Sequence, residues 1–245
     1  MKKIGIIGGI GPMAMVYFLQ LITEMTDAKK DQDHIELLIH SKPQMPDRTS
    51  YIVGKSKENP LLALTEVGIE LVKYGVDFIA IPCITAHYFQ KELEKQIGCS
   101  IIHAIEETAK YLTLENVTKV GLMATDGTIE GKLFQHIMEQ YKIECFIPSK
   151  EKQNYVMHLI YENIKAGKKT EMELFYCISD ELFEAGAQVI LLGCTELSLI
   201  KRDNVLGDGF LDVLEVLARK VVIVSEAKLK SEYIRLITGK PRNYL

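Results

Sequence analysis

Two cysteines sit at matching places in the chain. Ile79-Ala80-Ile81-Pro82-Cys83-Ile84-Thr85-Ala86-His87 runs from an apolar stretch into a cysteine, a threonine and a histidine, and Val189-Ile190-Leu191-Leu192-Gly193-Cys194-Thr195-Glu196 repeats the pattern. The lead-ins match too: Lys73-Tyr74-Gly75-Val76-Asp77 before the first, Glu184-Ala185-Gly186-Ala187-Gln188 before the second. Each copy reads as a buried strand that delivers a thiol at its carboxyl end, where open α/β sheets bind ligands. An ordinary thiol, with a pKa of about 8.5, is mostly protonated at neutral pH, and a helix N-terminus or a cation lowers that value. A thiolate so formed can act as a base or a nucleophile. Two thiols on opposite sides of one carbon suit proton removal from one face and return on the other, an inversion that needs no cofactor.

The other three cysteines, Cys99, Cys145 and Cys177, lie in no such pattern and are expected simply to pack, as free cysteines usually do. A zinc site is not expected, because three or four ligands at short spacing are wanted and no Cys-x-x-Cys occurs. His87, alone four residues after Cys83, is expected to orient a neighbour rather than bind metal.

Positioning these groups requires alternating strands and helices. Lys3–Ile7 reads as a buried strand ending at Gly8-Gly9-Ile10-Gly11-Pro12, where glycines allow close backbone approach and Pro12 suits a helix's first turn. The glycine spacing is not the dinucleotide fingerprint; amides facing an anion fit it better. A second strand, Ile35–His40, runs into the loop Ser41–Thr49, whose Arg48 is either a bidentate carboxylate clamp or a solvated arginine structuring its own loop. Helices are expected at Met13–Thr26, Leu61–Tyr74, Phe89–Ile97, Ile105–Leu114, Leu133–Tyr141, Asn154–Lys165 and Glu171–Ala185, with further strands at Asp77–Ile81, Ser100–Ile102, Lys119–Met123, Glu144–Ile147 and Val189–Leu192. The tail, Leu211–Ile237, reads as mostly helix. This alternation gives an α/β fold of two pseudo-symmetric lobes, each a parallel sheet flanked by helices, with the site in the cleft between them.

The 245 residues are 47% hydrophobic and 25% charged, ordinary for a globular protein. A net charge of −4 argues against nucleic acid, which needs clustered positive charge. No apolar run approaches the roughly 20 residues of a membrane span. The short, glycine-cut run after Met1-Lys2-Lys3 is a first strand rather than a signal peptide, so a cytoplasmic protein with reduced thiols is expected.

The chain resembles the aspartate/glutamate racemases, and within them the aspartate racemase branch, over residues 3–225. The matching stretches are Ile4–Pro12, Pro43–Thr49, Pro82–His87, Ala124–Thr128, Ile160–Gly167 and Gly193–Glu196. The resemblance implies pyridoxal-free racemisation of L- and D-aspartate, or a close acidic amino acid, with Cys83 and Cys194 as the acid/base pair. Thr85 and Thr195, with backbone amides, would hold the α-carboxylate, and Arg48 and Lys165 the side-chain carboxylate. Gly11, Pro12, Met13, Thr125 and Glu196 complete the expected substrate-binding set. The resemblance further implies a homodimer, and a first lobe of residues 1–103 joined by a returning tail, 207–245, around a second lobe of 104–206. No cofactor or metal is expected. Other reactions on this scaffold, such as decarboxylation or isomerisation of a small diacid, and a non-catalytic dicarboxylate-binding homologue are the rival readings. Where the family reads Cys-Asn-Thr, this chain has Cys83-Ile84-Thr85, which removes a hydrogen-bonding side chain worth on the order of 1 kcal/mol and leaves the amino acid handled open. The 205–210 segment also departs from the family pattern.

Overall fold

The computed structural model describes residues 1–242. The first sheet holds β1 (Ile4–Gly8), β2 (Leu37–Ser41) and β3 (Phe78–Ala80) in the order β2-β1-β3, all parallel. The second holds β4 (Lys119–Met123), β5 (Glu144–Phe146), β6 (Val189–Leu192) and β7 (Phe210–Asp212) in the order β5-β4-β6-β7, again parallel. The two sheets therefore share one local plan, with β1 or β4 central and the cysteine strand on one side of it. Strand order reverses between β1 and β3, and again between β4 and β6, and such reversals open a crevice at the strands' carboxyl ends. Every residue of β1 and of β6 is buried, the pattern of a strand covered by helices on both faces.

The helices are α1 (Pro12–Met25), α2 (Arg48–Ile52), α3 (Pro60–Lys73), α4 (Gln90–Ile97), α5 (Ala104–Leu114), α6 (Asp126–Glu130), α7 (Leu133–Gln140), α8 (Lys150–His158), α9 (Met172–Glu184), α10 (Thr195–Asp203) and α11 (Val213–Val224). A 3-10 segment, Ile84–Phe89, leads from Cys83 into α4, and a π-helical turn, Leu159–Ile164, continues α8. No described helix is long and apolar enough to cross a membrane.

Several expected elements differ. The tail is helical over a shorter stretch than Leu211–Ile237: β7 precedes α11, and α11 ends at Val224, with a short 3-10 turn following at Ser231–Tyr233. Within the expected tail from residue 207, β7 pairs with β6 in the second sheet, and α11 packs on both α1 and α5. The expected strand at Ser100–Ile102 is a single bridge between Ile79 and Ile101. Two short helices, α2 and α6, were not expected; α2 begins with Arg48 and α6 is capped by Thr125, and both of those residues line the cleft.

Candidate active site

Cys83 and Cys194 each stand at the point where a strand gives way to helical backbone. Cys83 caps the 3-10 segment, its carbonyl accepting from the Ala86 amide at 3.0 Å, and Cys194 caps α10, its carbonyl accepting from the Leu197 amide at 2.9 Å. Both are buried, and both line one cleft with Asp47, Arg48, Thr85, Thr125, Tyr161, Lys165, Thr195 and Glu196. The free space left there is about 10 Å³, about that of a single water, so an amino acid enters only if the walls part.

The surroundings of the two thiols differ. Beside Cys83 lies Arg48, 8% exposed, at the start of α2, where Asp47 caps the helix by accepting from the Ser50 amide at 2.7 Å. Burial works against the Arg48 charge, but Cys83 and Asp47 outweigh it and hold the guanidinium above its ordinary range. Its Nη1 donates to the Pro46 carbonyl at 3.0 Å, while Nε is buried without a partner. Beside Cys194 lies a carboxylate: Sγ donates to Glu196 Oε2 at 3.0 Å, and Thr195 Oγ1 donates to the same oxygen at 3.3 Å. Burial and then Glu196 push the Cys194 thiol well up, against a smaller downward pull from Lys165. The other Glu196 oxygen, Oε1, pairs with Lys165 Nζ at 3.5 Å. Lys165 also sits over the Tyr161 ring, 4.6 Å from its centroid. Although burial opposes its charge, Glu196 and Cys194 hold the ammonium above its ordinary range.

Three hydroxyls close the floor. Thr85 Oγ1 lies 3.0 Å from Thr125 Oγ1 and 3.1 Å from Thr128 Oγ1, and the last two are 3.2 Å apart. Thr85 follows the first cysteine strand and the other two begin α6, so the ring joins the two halves.

The expected residues thus divide. Cys83, Cys194, Arg48, Thr85, Thr125, Lys165, Thr195 and Glu196 line the inner cleft. Gly11, Pro12 and Met13 do not; they wall an adjoining vestibule of about 470 Å³, which reaches the cleft past Arg48, Lys165 and Glu196. Gly11, at φ 93°, still bears on the chemistry, since a Cβ there would stand 3.1 Å from Glu196 Oε1. His87 orients a neighbour: its Nδ1 meets Gln90 Oε1 at 2.7 Å, and Gln90 Nε2 donates to the Ile101 carbonyl at 2.9 Å. Cys177 is exposed rather than packed, and Cys99 and Cys145 are only half-buried. Sequence reasoning missed Asp47, Tyr161 and Thr128. Tyr161 reaches across the cleft, its hydroxyl donating to Asp47 Oδ2 at 3.4 Å. A larger groove of about 940 Å³, along His87, His103 and Lys220, includes neither inner-cleft cysteine.

The chain belongs to the Asp/Glu/hydantoin racemase family, whose pattern it matches over residues 7–221. Its structure is similar to that of the Picrophilus torridus aspartate racemase, with a TM-score of 0.82 and 30% identity over 96% of this chain and 98% of that one. It is 25% identical to the broad specificity amino-acid racemase RacX of Bacillus subtilis, over 80% of this chain and 86% of that protein. A glutamate racemase from Francisella tularensis, solved with D-glutamate, shares the fold at a TM-score of 0.62 and 17% identity, over 91% of this chain and 80% of that one.

Proposed function

We propose that the protein is an amino-acid racemase acting on aspartate or a close acidic relative, with Cys83 and Cys194 as paired acid and base. The observation that carries this reading is the convergence of two buried thiols, from duplicated strand–turn units, on one cleft. One thiolate takes the α-proton; the other thiol returns a proton to the opposite face. Thr85, Thr125 and Thr195 offer hydroxyls to the α-carboxylate, whose charge must be held while the carbanion forms. Arg48, with its unpartnered Nε, and Lys165 offer cations to the side-chain carboxylate. Ile84 stands in the same wall and offers no polar atom, leaving the amino acid's polar groups to the threonines and backbone.

The test is α-hydrogen exchange in deuterated water. Wild type should exchange the α-hydrogen of both aspartate enantiomers. Cys83→Ser and Cys194→Ser should each abolish racemisation, because a hydroxyl is a far poorer base near pH 7. Each should retain slow exchange of one enantiomer, and of opposite ones. Equal residual racemisation in the two variants would exclude the thiols as the bases. A wild type that binds aspartate yet exchanges no amino acid would be a binding protein.

A further inference from the structure

We infer that Lys165, Glu196 and Cys194 form a relay that couples recognition of the substrate's side-chain carboxylate to ionisation of one thiol, so that an acidic substrate activates one of the two proton transfers. The inference rests on the racemase reading and adds to it a specificity that acts on the chemical step.

The geometry is a line of three groups. Glu196 uses one oxygen for the Lys165 ammonium, at 3.5 Å, and the other for the Cys194 S–H, at 3.0 Å. The carboxylate is buried, 5% exposed, so its charge is balanced by these neighbours rather than by water. Lys165 lies on the boundary between vestibule and inner cleft, where an entering side chain meets it. An incoming carboxylate takes a share of the ammonium and places a second negative charge near Glu196. Moving the Cys194 proton onto Glu196 then relieves that repulsion, because it shifts the negative charge from the carboxylate to the sulfur, one bonded partner further from Lys165. The total charge of the pair is unchanged; only its position moves.

The steps balance. The Cys194 S–H bond breaks and its proton joins Glu196 Oε2, leaving a thiolate and a neutral acid. The thiolate takes the substrate α-proton, re-forming S–H and leaving the carbanion. Cys83 S–H gives its proton to the opposite face and becomes a thiolate next to Arg48. After product leaves, Glu196 gives its proton to solvent, the Cys83 thiolate takes one from solvent, and the resting state is restored. Among the described residues no hydrogen bond joins Cys83 to a carboxylate as one joins Cys194 to Glu196; Arg48 stands beside it instead. The coupling therefore applies to one enantiomer only.

The test compares aspartate with asparagine, which has the same shape without the side-chain charge. Exchange of the α-hydrogen is followed by NMR in deuterated water at saturating substrate, separating kcat from KM, and the two Cys→Ser variants assign each enantiomer to its thiol. The expected result is that kcat for the enantiomer deprotonated by Cys194 falls at least about tenfold further on going from aspartate to asparagine than kcat for the other, one pKa unit of lost ionisation being a factor of ten. Glu196→Gln should abolish that difference, bringing aspartate exchange on the Cys194 side down to the asparagine level. The substrate comparison in wild type needs no variant to fold. Equal losses for the two enantiomers would overturn the relay and leave the racemase reading standing. No exchange of any amino acid would overturn both.

Discussion

Arg48→Lys keeps a positive charge in the cleft and changes only how it is presented. The guanidinium spends Nη1 on the Pro46 carbonyl and holds Nε buried without a partner, so one edge of the fork is free for a carboxylate. A bidentate carboxylate bond needs that planar edge, and a lysine ammonium cannot reproduce it. At least one charge-assisted hydrogen bond is then lost, and such bonds contribute roughly 1.5–3 kcal/mol. At about 1.4 kcal/mol per tenfold, the expected rise in the aspartate KM is about 10- to 150-fold. Because Arg48 also lies beside Cys83, kcat should fall as well as KM rise. The assay is initial-rate racemisation at a series of aspartate concentrations, followed by optical rotation, with circular dichroism to confirm folding. A KM unchanged within twofold would remove Arg48 from the side-chain subsite and return it to the role of a loop-structuring residue.

Two further outcomes concern the frame around the site. In Gly127→Ala the added Cβ would stand 2.8 Å from the Thr49 Cα, a backbone atom of the opposing half, so the close approach of α6 to α2 must loosen. Overpacking of this kind costs about 1–3 kcal/mol, expected as a fall of about 2–12 °C in melting temperature by calorimetry, and an unchanged melting temperature would refute it. Glu215, bonded to Lys201 at 2.6 Å, is raised from 4.5 to about 7, first by burial and then by the Asp212 charge, with Lys201 opposing. A raised acid holds its proton in the folded state while the unfolded chain has lost it, so its contribution is present below about 4.5 and lost as pH climbs through about 7. His87, lowered to about 4 by burial and then by His103, acts oppositely, adding stability as pH rises from about 4 to 6.5. The melting temperature of Glu215→Gln should therefore gain on wild type as pH rises from 5 to 8, and a difference that stays flat with pH would refute this assignment.

The parts of the molecule legible in sequence are those in which local pattern and burial agree. Unbroken apolar runs marked β1 and β6 because both faces are covered, and the repeated strand–Cys–Thr unit marked both thiols. What escaped depends on contacts distant in sequence. β7 is three residues long and runs directly into a helix, so no alternation betrays it; its register with β6, Ile190 opposite Phe210, is a purely tertiary fact. The end of α11 gave no signal because Glu226 takes the left-handed conformation, φ 66°, that a glycine usually announces. The π turn was hidden inside a helical pattern, since buried Val156, Leu159, Ile160 and Asn163 keep spacings an α-helix also shows. Asp47 read as a loop residue because it is one until Ser50 closes the cap. Tyr161 lay within a matching stretch, but nothing local says that its hydroxyl spans the cleft.

The duplication that made the thiols visible also conceals the difference between them. Sequence pairs Cys83-Ile84-Thr85 with Cys194-Thr195-Glu196, and the strands before them each pair with the first strand of their own sheet, β3 with β1 and β6 with β4. The neighbours are opposite in sign: a guanidinium from α2 on one side, a carboxylate from α10 on the other. A carboxylate beside a thiol favours the protonated form that donates a proton, and burial together with Glu196 holds the Cys194 thiol well up. Backbone symmetry thus sets two like groups in one cleft, while the side chains beside them carry opposite charge. On the racemase reading, that is the arrangement a single turnover requires, because acid and base must be present together. The next turnover in the same direction requires the protons to be reset, and Asp47, Arg48, Lys165 and Glu196, which also line the vestibule, are where substrate and solvent can reach to do so.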